Sequence, residues 1–308
     1  MSGTLIAIVG ATATGKTKLA VELAQALLGE VINADSRQVY RGMDIGTAKP
    51  TAGEQASARH WLVDRVNPDE QYTLAAFLDD ARAAIIDIAR RGLTPIVAGG
   101  SAQYVWAMLE GWQVPRVAPN AELRGRLEAL AEREGAPAVG AILQAEDPAS
   151  AAVIDPNNVR RVIRAIEVTR ATGRRFSDWR ERTGAPADDV HVIGLRLPRD
   201  VLYARIDARV DVMLAAGLID EVRGLNAAGY GCGLPSMSGI GYRQVCAHLR
   251  GELTLAAAAA EMKTETHRLA RMQDTWFRRD DTRINWFDAD GSDLCARAME
   301  VVRASEST

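Results

Sequence analysis

A glycine-rich segment that follows a short apolar run constrains the fold of this chain most. The segment is Gly10-Ala11-Thr12-Ala13-Thr14-Gly15-Lys16-Thr17, which fits the pattern GxxxxGK[ST]. The apolar run Leu5–Gly10 leads into it, and Lys16–Leu28 carries helical periodicity. In a strand, loop and helix of this kind, backbone N–H groups and the positive helix end bind phosphate. Lys16 adds a point charge, and the Thr17 hydroxyl can ligate Mg²⁺. The segment predicts a polyphosphate site, without indicating which polyphosphate.

Alternating strands and helices indicate the fold class. Further apolar runs at Val31–Ala34, Pro95–Ala98, 190–197 and Ile284–Phe287 predict strands. Helical patterns lie between and after them, at Leu74–Arg91, Arg199–Leu225 and Leu253–Arg279. Strands separated by helices of this length favour a parallel sheet with right-handed crossovers. We therefore expect an α/β protein with a sheet like that of P-loop NTPases, flanked by helices.

A segment without strand-like runs interrupts this pattern. From about Pro115 to Asp189 alanine, arginine and glutamate dominate and prolines punctuate short helices. We expect an all-helical insertion domain at 115–189 and a catalytic core formed by 1–114 and 190–308. Between Val159 and Thr183 there are eight arginines against three acidic residues. In the helix that starts near Val159, Arg160, Arg161 and Arg164 lie opposite an apolar face, so they form either a solvated surface or a contact with a phosphate backbone.

Composition indicates the cellular compartment more clearly than it indicates a binding partner. The net charge is −3, which hides the basic insertion and gives no overall sign of a nucleic-acid partner. No apolar run approaches the ~20 residues of a membrane span. Three scattered cysteines without a CxxC pair argue against a disulfide framework and against a zinc site. We expect a cytoplasmic protein that does not bind a membrane.

Polar residues after the predicted strands are candidates for chemistry. Asp35-Ser36-Arg37-Gln38 follows the second run and Gly99-Gly100-Ser101 follows the third, both at the sheet edge where ligands bind. Asp35 is either a general base, a carboxylate that reaches Mg²⁺ through water, or a turn residue. Arg205 and Arg209 share one helix face, where either can clamp a diphosphate or pair with acids. Gly239–Gln244 is a glycine-rich loop with Tyr242, Arg243 and Gln244, a weak signal by itself.

Together these segments resemble the bacterial tRNA dimethylallyltransferases, also called tRNA isopentenyltransferases. The stretch from Asp35 to Pro50 is similar to that family's signature nearly letter for letter. Further similar motifs, in the family's order and over nearly the whole chain, are the phosphate loop, Gly99-Gly100-Ser101…Tyr104, Arg161…Arg164-Ala165…Glu167-Val168, Gly241-Tyr242-Arg243-Gln244 and Thr275-Trp276-Phe277-Arg278-Arg279.

The resemblance implies an enzyme, dimethylallyl diphosphate as donor, Mg²⁺ as cofactor and tRNA as acceptor. We also expect a monomer. The acceptor atom is N6 of the adenine 3′ to the anticodon, on a base flipped into a channel. By this resemblance, Asp35 is expected to take the N6 proton, and Ser101 and Arg209 to bind near the diphosphate. The residues implied to contact tRNA are Asp35, Ser36, Arg37, Gln38, Ser101, Arg124, Arg161, Arg164, Gly241, Tyr242, Arg243 and Gln244.

The chain departs from the family pattern in places, and other functions remain open. Ala11 replaces the usual proline, Ser101-Ala102-Gln103 replaces Thr-Gly-Leu, and Met272 stands where arginine is common. Ser101 keeps the hydroxyl, whereas Gln103 changes a channel position. A P-loop kinase, a prenyltransferase for free adenine nucleotides and a non-catalytic RNA-binding protein are the alternatives. The arginine-rich insertion disfavours the first two, and Lys16, Thr17 and Asp35 disfavour the last.

Overall fold

The computed structural model describes residues 4–180 and 190–306. Residues 181–189, which include Arg182 and the predicted boundary at 189, lie outside the described residues. The chain forms two compact units, one of residues 1–109 and 187–308 and one of residues 110–186. The division falls a few residues before each end of the predicted insertion.

A parallel sheet organises the first unit, as the sequence predicts. Its six strands lie in the order β3-β2-β4-β1-β5-β6, and every neighbouring pair is parallel. The strands are β1 (Leu5–Gly10), β2 (Gly29–Asn33), β3 (His60–Trp61), β4 (Thr94–Ala98), β5 (Val190–Arg196) and β6 (Ile284–Asp288). The two-residue β3 is too short to leave a hydrophobic pattern and was not predicted. Because β1 lies between β4 and β5, the loop after β1 is near the centre of the sheet edge.

The helices, in chain order, are α1 (Lys16–Ala26), α2 (Ala52–Ser57), α3 (Leu74–Arg90), α4 (Ala102–Leu109), α5 (Ala121–Glu134), α6 (Ala136–Glu146), α7 (Pro148–Ala151), α8 (Val159–Thr172), α9 (Arg199–Ala215), α10 (Leu218–Ala227), α11 (Tyr242–Leu249), α12 (Leu255–Trp276) and α13 (Leu294–Glu306). The single helix predicted over Arg199–Leu225 is wrong. It is two helices, because Gly217 adopts a φ of 98° that ends α9 and starts α10.

The second unit is helical and has its own core. Helices α5 to α8 lie within it, and a short 3₁₀ helix follows at Phe176–Arg180. Its buried apolar side chains pack on one another, among them Leu127, Leu143, Val162, Ile163 and Ile166. The apolar face predicted for α8 is therefore buried inside this unit.

A disulfide in the first unit corrects the expectation from the cysteine pattern. Cys232 and Cys246 are bonded, with their Cα atoms 5.9 Å apart. The chain turns back after α10, so Cys232 lies against α11 although no short Cys spacing announces the pair. Cys295 is a free thiol. The bond removes the cysteine argument for a reducing compartment.

In the part of the chain that the structure describes, no helix combines the length and the apolar character needed to cross a membrane.

Candidate active site

The phosphate loop joins β1 to α1 in a tight curl. Gly10, Ala13 and Gly15 have positive φ angles of 137°, 64° and 87°. The Thr14 hydroxyl and the Lys16 ammonium both donate to the Ala11 carbonyl, over 2.8 and 2.6 Å. A Cβ at Gly10 would lie 2.4 Å from the Leu195 carbonyl oxygen on β5, so only glycine lets the loop leave the sheet here. The predicted strand, loop and helix are thus all present.

Among the described residues, no carboxylate forms an ion pair with the Lys16 ammonium. Its pKa is lowered to about 8, first by burial and then by repulsion from Arg209, while attraction to Asp35 opposes both. Part of the Lys16 side chain is exposed, but its charged end is enclosed by protein. An anion bound beside this group would stabilise the charged form and raise the pKa again. The site is therefore electrostatically prepared for a phosphate.

A cavity of about 840 Å³ opens on the phosphate loop. Its walls come from the loop, from the segments after β2 and β4, and from α9 and α12. The predicted residues Lys16, Thr17, Asp35, Ser101 and Arg209 all line it. This volume is in the range that holds a small-molecule ligand.

Asp35 and Ser101 are fixed beside each other by the ends of two neighbouring strands. The Arg37 N–H donates to Asp35 Oδ1 over 2.8 Å, so the carboxylate also closes a turn. The Ser36 N–H donates to Ser101 Oγ over 3.0 Å, and Ser101 Oγ donates to Ser36 Oγ over 3.3 Å. A Cβ at Gly99 would lie 2.2 Å from the Ala34 carbonyl oxygen, which explains the glycine there. The two segments therefore form one wall of the cavity.

Of Arg205 and Arg209 on α9, Arg209 lines this cavity and Arg205 does not. Arg209 Nη1 lies 3.5 Å from Thr12 Oγ1, and burial lowers the pKa of its guanidinium. Arg205 instead pairs with Asp290. The geometry therefore supports Arg209 as the diphosphate ligand; that role stays a prediction.

The signature stretch from Asp35 to Pro50 is held by one side chain from α10 and by one of its own. Glu221 accepts the N–H groups of Asp44, Ile45 and Gly46, and it also accepts the Tyr242 hydroxyl over 2.6 Å. Gln38 Nε2 donates to the carbonyls of Thr47 and Ala48, both over 3.0 Å. Sequence reasoning missed Glu221, because its position on an ordinary helix gives no signal of these contacts.

The loop 239–244 lies against the same cavity, but its side chains differ in access. Tyr242 and Gln244 are buried, and Gln244 Oε1 accepts the Gly241 N–H over 2.9 Å. Arg243 is exposed and lies 3.5 Å from Glu265. The buried pair therefore shapes the loop, while Arg243 has the exposure that contact with tRNA requires. The tRNA contacts of this loop stay a prediction.

In the second unit, two of the three arginines expected to contact tRNA are held by Glu167. Arg124 and Arg164 donate to this buried carboxylate over 2.8 and 2.5 Å, and Arg164 also donates to the Val117 carbonyl. Burial would raise the pKa of Glu167, but hydrogen bonds from Arg124, the Asn120 N–H and Arg164 outweigh it and lower the pKa to about 2. Arg161 is exposed on α8, and no ion pair of its side chain with the other described residues is found.

Among the described residues, no group of three or more His, Cys, Asp or Glu side chains could hold a metal. A metal at this site would take the Thr17 hydroxyl and phosphate oxygens of the ligand, with Asp35 in reach through water. This donor set fits Mg²⁺, which keeps several waters and binds few protein groups.

Comparisons with known proteins place this geometry in a family. A family model described as IPP transferase matches residues 38–280. The chain is 53% identical over 299 residues to a tRNA dimethylallyltransferase of a Roseiflexus species, covering 97% of each protein. It is 50% identical over 302 residues to the one from Herpetosiphon aurantiacus, covering 98% of this chain and 95% of the relative.

Solved structures of similar fold carry names of the same kind of enzyme. The crystal structure of the tRNA isopentenylpyrophosphate transferase of Bacillus halodurans superposes with a TM-score of 0.72 at 40% identity, covering 99% of this chain and 96% of that one. A eukaryotic dimethylallyltransferase acting on tRNA gives 0.82 at 28% identity, covering 99% of this chain and 79% of that one. The chain belongs to the IPP transferase family.

Proposed function

We propose that this chain transfers a dimethylallyl group from dimethylallyl diphosphate to N6 of the adenosine 3′-adjacent to the anticodon of tRNA. The observation that carries the proposal is the meeting of Lys16, Asp35, Ser101 and Arg209 around one cavity. The names of the relatives supply the reaction class, because they are called dimethylallyltransferases of tRNA. A kinase is disfavoured by the family, and free adenine nucleotides by the relatives' tRNA substrate.

Prenyl transfer requires a proton acceptor, groups that stabilise the leaving diphosphate and groups that position the acceptor segment. The bond between N6 and the first prenyl carbon forms while the bond from that carbon to the diphosphate oxygen breaks. Asp35 accepts the proton that leaves N6, as a general base within reach of a base in the cavity. Lys16, Arg209 and the N–H groups of the phosphate loop stabilise the charge that develops on the departing diphosphate. Ser101 positions the Asp35 segment through Ser36.

Mg²⁺ is the cofactor that this donor chemistry implies. Thr17 is the side chain that would hold it, together with diphosphate oxygens. When bound, the ion neutralises part of the charge on the leaving group.

Contact with tRNA is proposed for both units. Arg161 and the arginines held by Glu167 present positive charge on the second unit, and Arg37 and Arg243 do so beside the cavity of the first. Arginines suit this task because they pair with phosphate oxygens. We also propose that the protein works as a monomer in the cytoplasm.

A pH series tests whether the phosphate loop binds the donor's diphosphate. Inorganic pyrophosphate should compete with dimethylallyl diphosphate, because both use the same loop. Its dissociation constant should rise above pH 8, by up to about tenfold per pH unit, since the free protein loses the Lys16 proton there and the complex keeps it. Titration calorimetry measures this.

Lys16→Met should weaken pyrophosphate binding and remove the part of the pH dependence that belongs to Lys16. Subtracting its profile also removes the titration of pyrophosphate itself. Lys263→Met, which only breaks an ion pair with Asp211, is the matched control. ATP hydrolysis stimulated by a small acceptor would contradict the proposal and favour the kinase.

A further inference from the structure

One end of the phosphate loop is occupied by a side chain from far along the sequence. Gln273, on α12, accepts the Thr12 N–H at Oε1 over 2.8 Å. Its Nε2 donates to the Gly100 carbonyl over 2.9 Å. The amide therefore bridges the phosphate loop and the turn after β4, and it is 8% exposed.

This bridge occupies the N–H group of the third residue of the phosphate loop and places an acceptor oxygen there. A phosphate oxygen that approached the Thr12 N–H would meet Gln273 Oε1, another acceptor. Displacing the amide would leave the Gly100 carbonyl and the amide itself without partners in a buried place, which is costly. A Cβ at Gly100 would lie 2.4 Å from Gln273 Nε2, so the turn also fits closely around the amide.

The position of Lys16 indicates which phosphate of a ligand would meet the Gln273 bridge. In such loops the lysine reaches the outermost phosphates of the ligand. Here Lys16 Nζ lies 2.6 Å from the Ala11 carbonyl oxygen, one residue from Thr12, and 3.8 Å from a Cβ placed on Gly100. A phosphate beyond the one that Lys16 holds would therefore approach the Gln273 bridge. The bridge does not use the N–H groups from Ala13 to Thr17.

We propose that Gln273 determines donor specificity by closing the Thr12 end of the phosphate loop, so that the site takes a diphosphate and excludes a triphosphate. The proposal rests on the proposed function, because it assumes that this loop binds the donor. Gln273 is a specificity residue and takes no part in bond making.

Competition against dimethylallyl diphosphate with inorganic pyrophosphate and inorganic tripolyphosphate tests the proposal. The wild-type chain should prefer pyrophosphate. Gln273→Met keeps the side-chain length and frees the Thr12 N–H. In this variant the inhibition constant of tripolyphosphate divided by that of pyrophosphate should fall roughly tenfold. A merely structural role would change both constants together and leave the ratio unchanged. Gln25→Met, exposed on α1, is the control and should keep the wild-type ratio.

Gln273→Glu gives a second, independent outcome. Its carboxylate still accepts the Thr12 N–H and adds negative charge, so the preference for pyrophosphate should hold or grow. An unchanged ratio in Gln273→Met, or a fall in Gln273→Glu, would overturn the proposal. If Gln273→Met does not fold, Gln273→Leu, which also frees the Thr12 N–H, takes its place in the same comparison. Failure of pyrophosphate to compete in the wild-type chain would instead contradict the proposed function.

Discussion

Replacing Asp35 with asparagine should lower the single-turnover rate of prenyl transfer by ~100-fold or more, the scale of a lost general base. Asparagine keeps an Oδ1 that can accept the Arg37 N–H, so the turn after β2 should survive. What disappears is the proton acceptor. Pyrophosphate affinity should change far less than the rate, because attraction to Asp35 is the smallest of the three influences on the Lys16 pKa. Rapid-quench measurement at saturating donor and tRNA isolates this step.

Asp69→Asn is the matched control, since Asp69 is an exposed carboxylate outside the cavity and should keep the wild-type rate. Near-normal turnover in Asp35→Asn would mean that Asp35 is a turn or metal-linked residue. Equal loss of rate and of pyrophosphate affinity would likewise remove it from the role of base.

Replacing residues 110–186 with a Gly/Ser linker should abolish measurable prenylation of tRNA while the remaining chain still binds pyrophosphate. The physical reason is that the second unit has a core of its own, built from Leu127, Leu143, Ile163 and their neighbours. Lys16, Thr17, Ser101 and Arg209 all lie in the first unit. Calorimetric melting with and without pyrophosphate measures whether the shortened chain folds cooperatively.

A point variant links this loss to charge. Arg161→Ala in the full chain should weaken binding of all tRNAs similarly and flatten the log–log salt dependence by about one unit. Arg90→Ala, exposed on α3 of the first unit, should leave the slope unchanged.

Unfolding of the shortened chain would show that the second unit shares the main core. Retained tRNA affinity would show that its arginines are not the docking surface.

Local sequence patterns predicted the sheet and the phosphate loop well. Leu5–Gly10 was predicted with its observed bounds because an apolar run followed by glycine and an amphipathic helix leaves few alternatives. The placement of Asp35 and Ser101 at neighbouring strand ends follows from the same rule for parallel sheets. The β1 strand and the two strand ends could be predicted because each is set by neighbouring residues in the sequence.

Contacts between distant residues could not be predicted in this way. Glu221 meets Asp44 and Gln273 meets Thr12 across 177 and 261 positions, and no periodicity marks either pair. The expectation of no disulfide was wrong for another reason: Cys232 and Cys246 are only 14 positions apart, but the return of the chain after α10, and not a CxxC spacing, brings them together. Spacing also could not tell that Arg164 would be drawn to a buried Glu167 while Arg161 stays exposed.

The central claim is that the phosphate-loop cavity serves prenyl transfer to tRNA. Labelled dimethylallyl diphosphate and Mg²⁺ should be incubated with the full-length protein and either bulk tRNA or AMP. The account predicts label in tRNA alone, recovered after digestion in the adenosine 3′ to the anticodon and lost without Mg²⁺. Label in AMP at a comparable rate would contradict the account, as would no label in either acceptor.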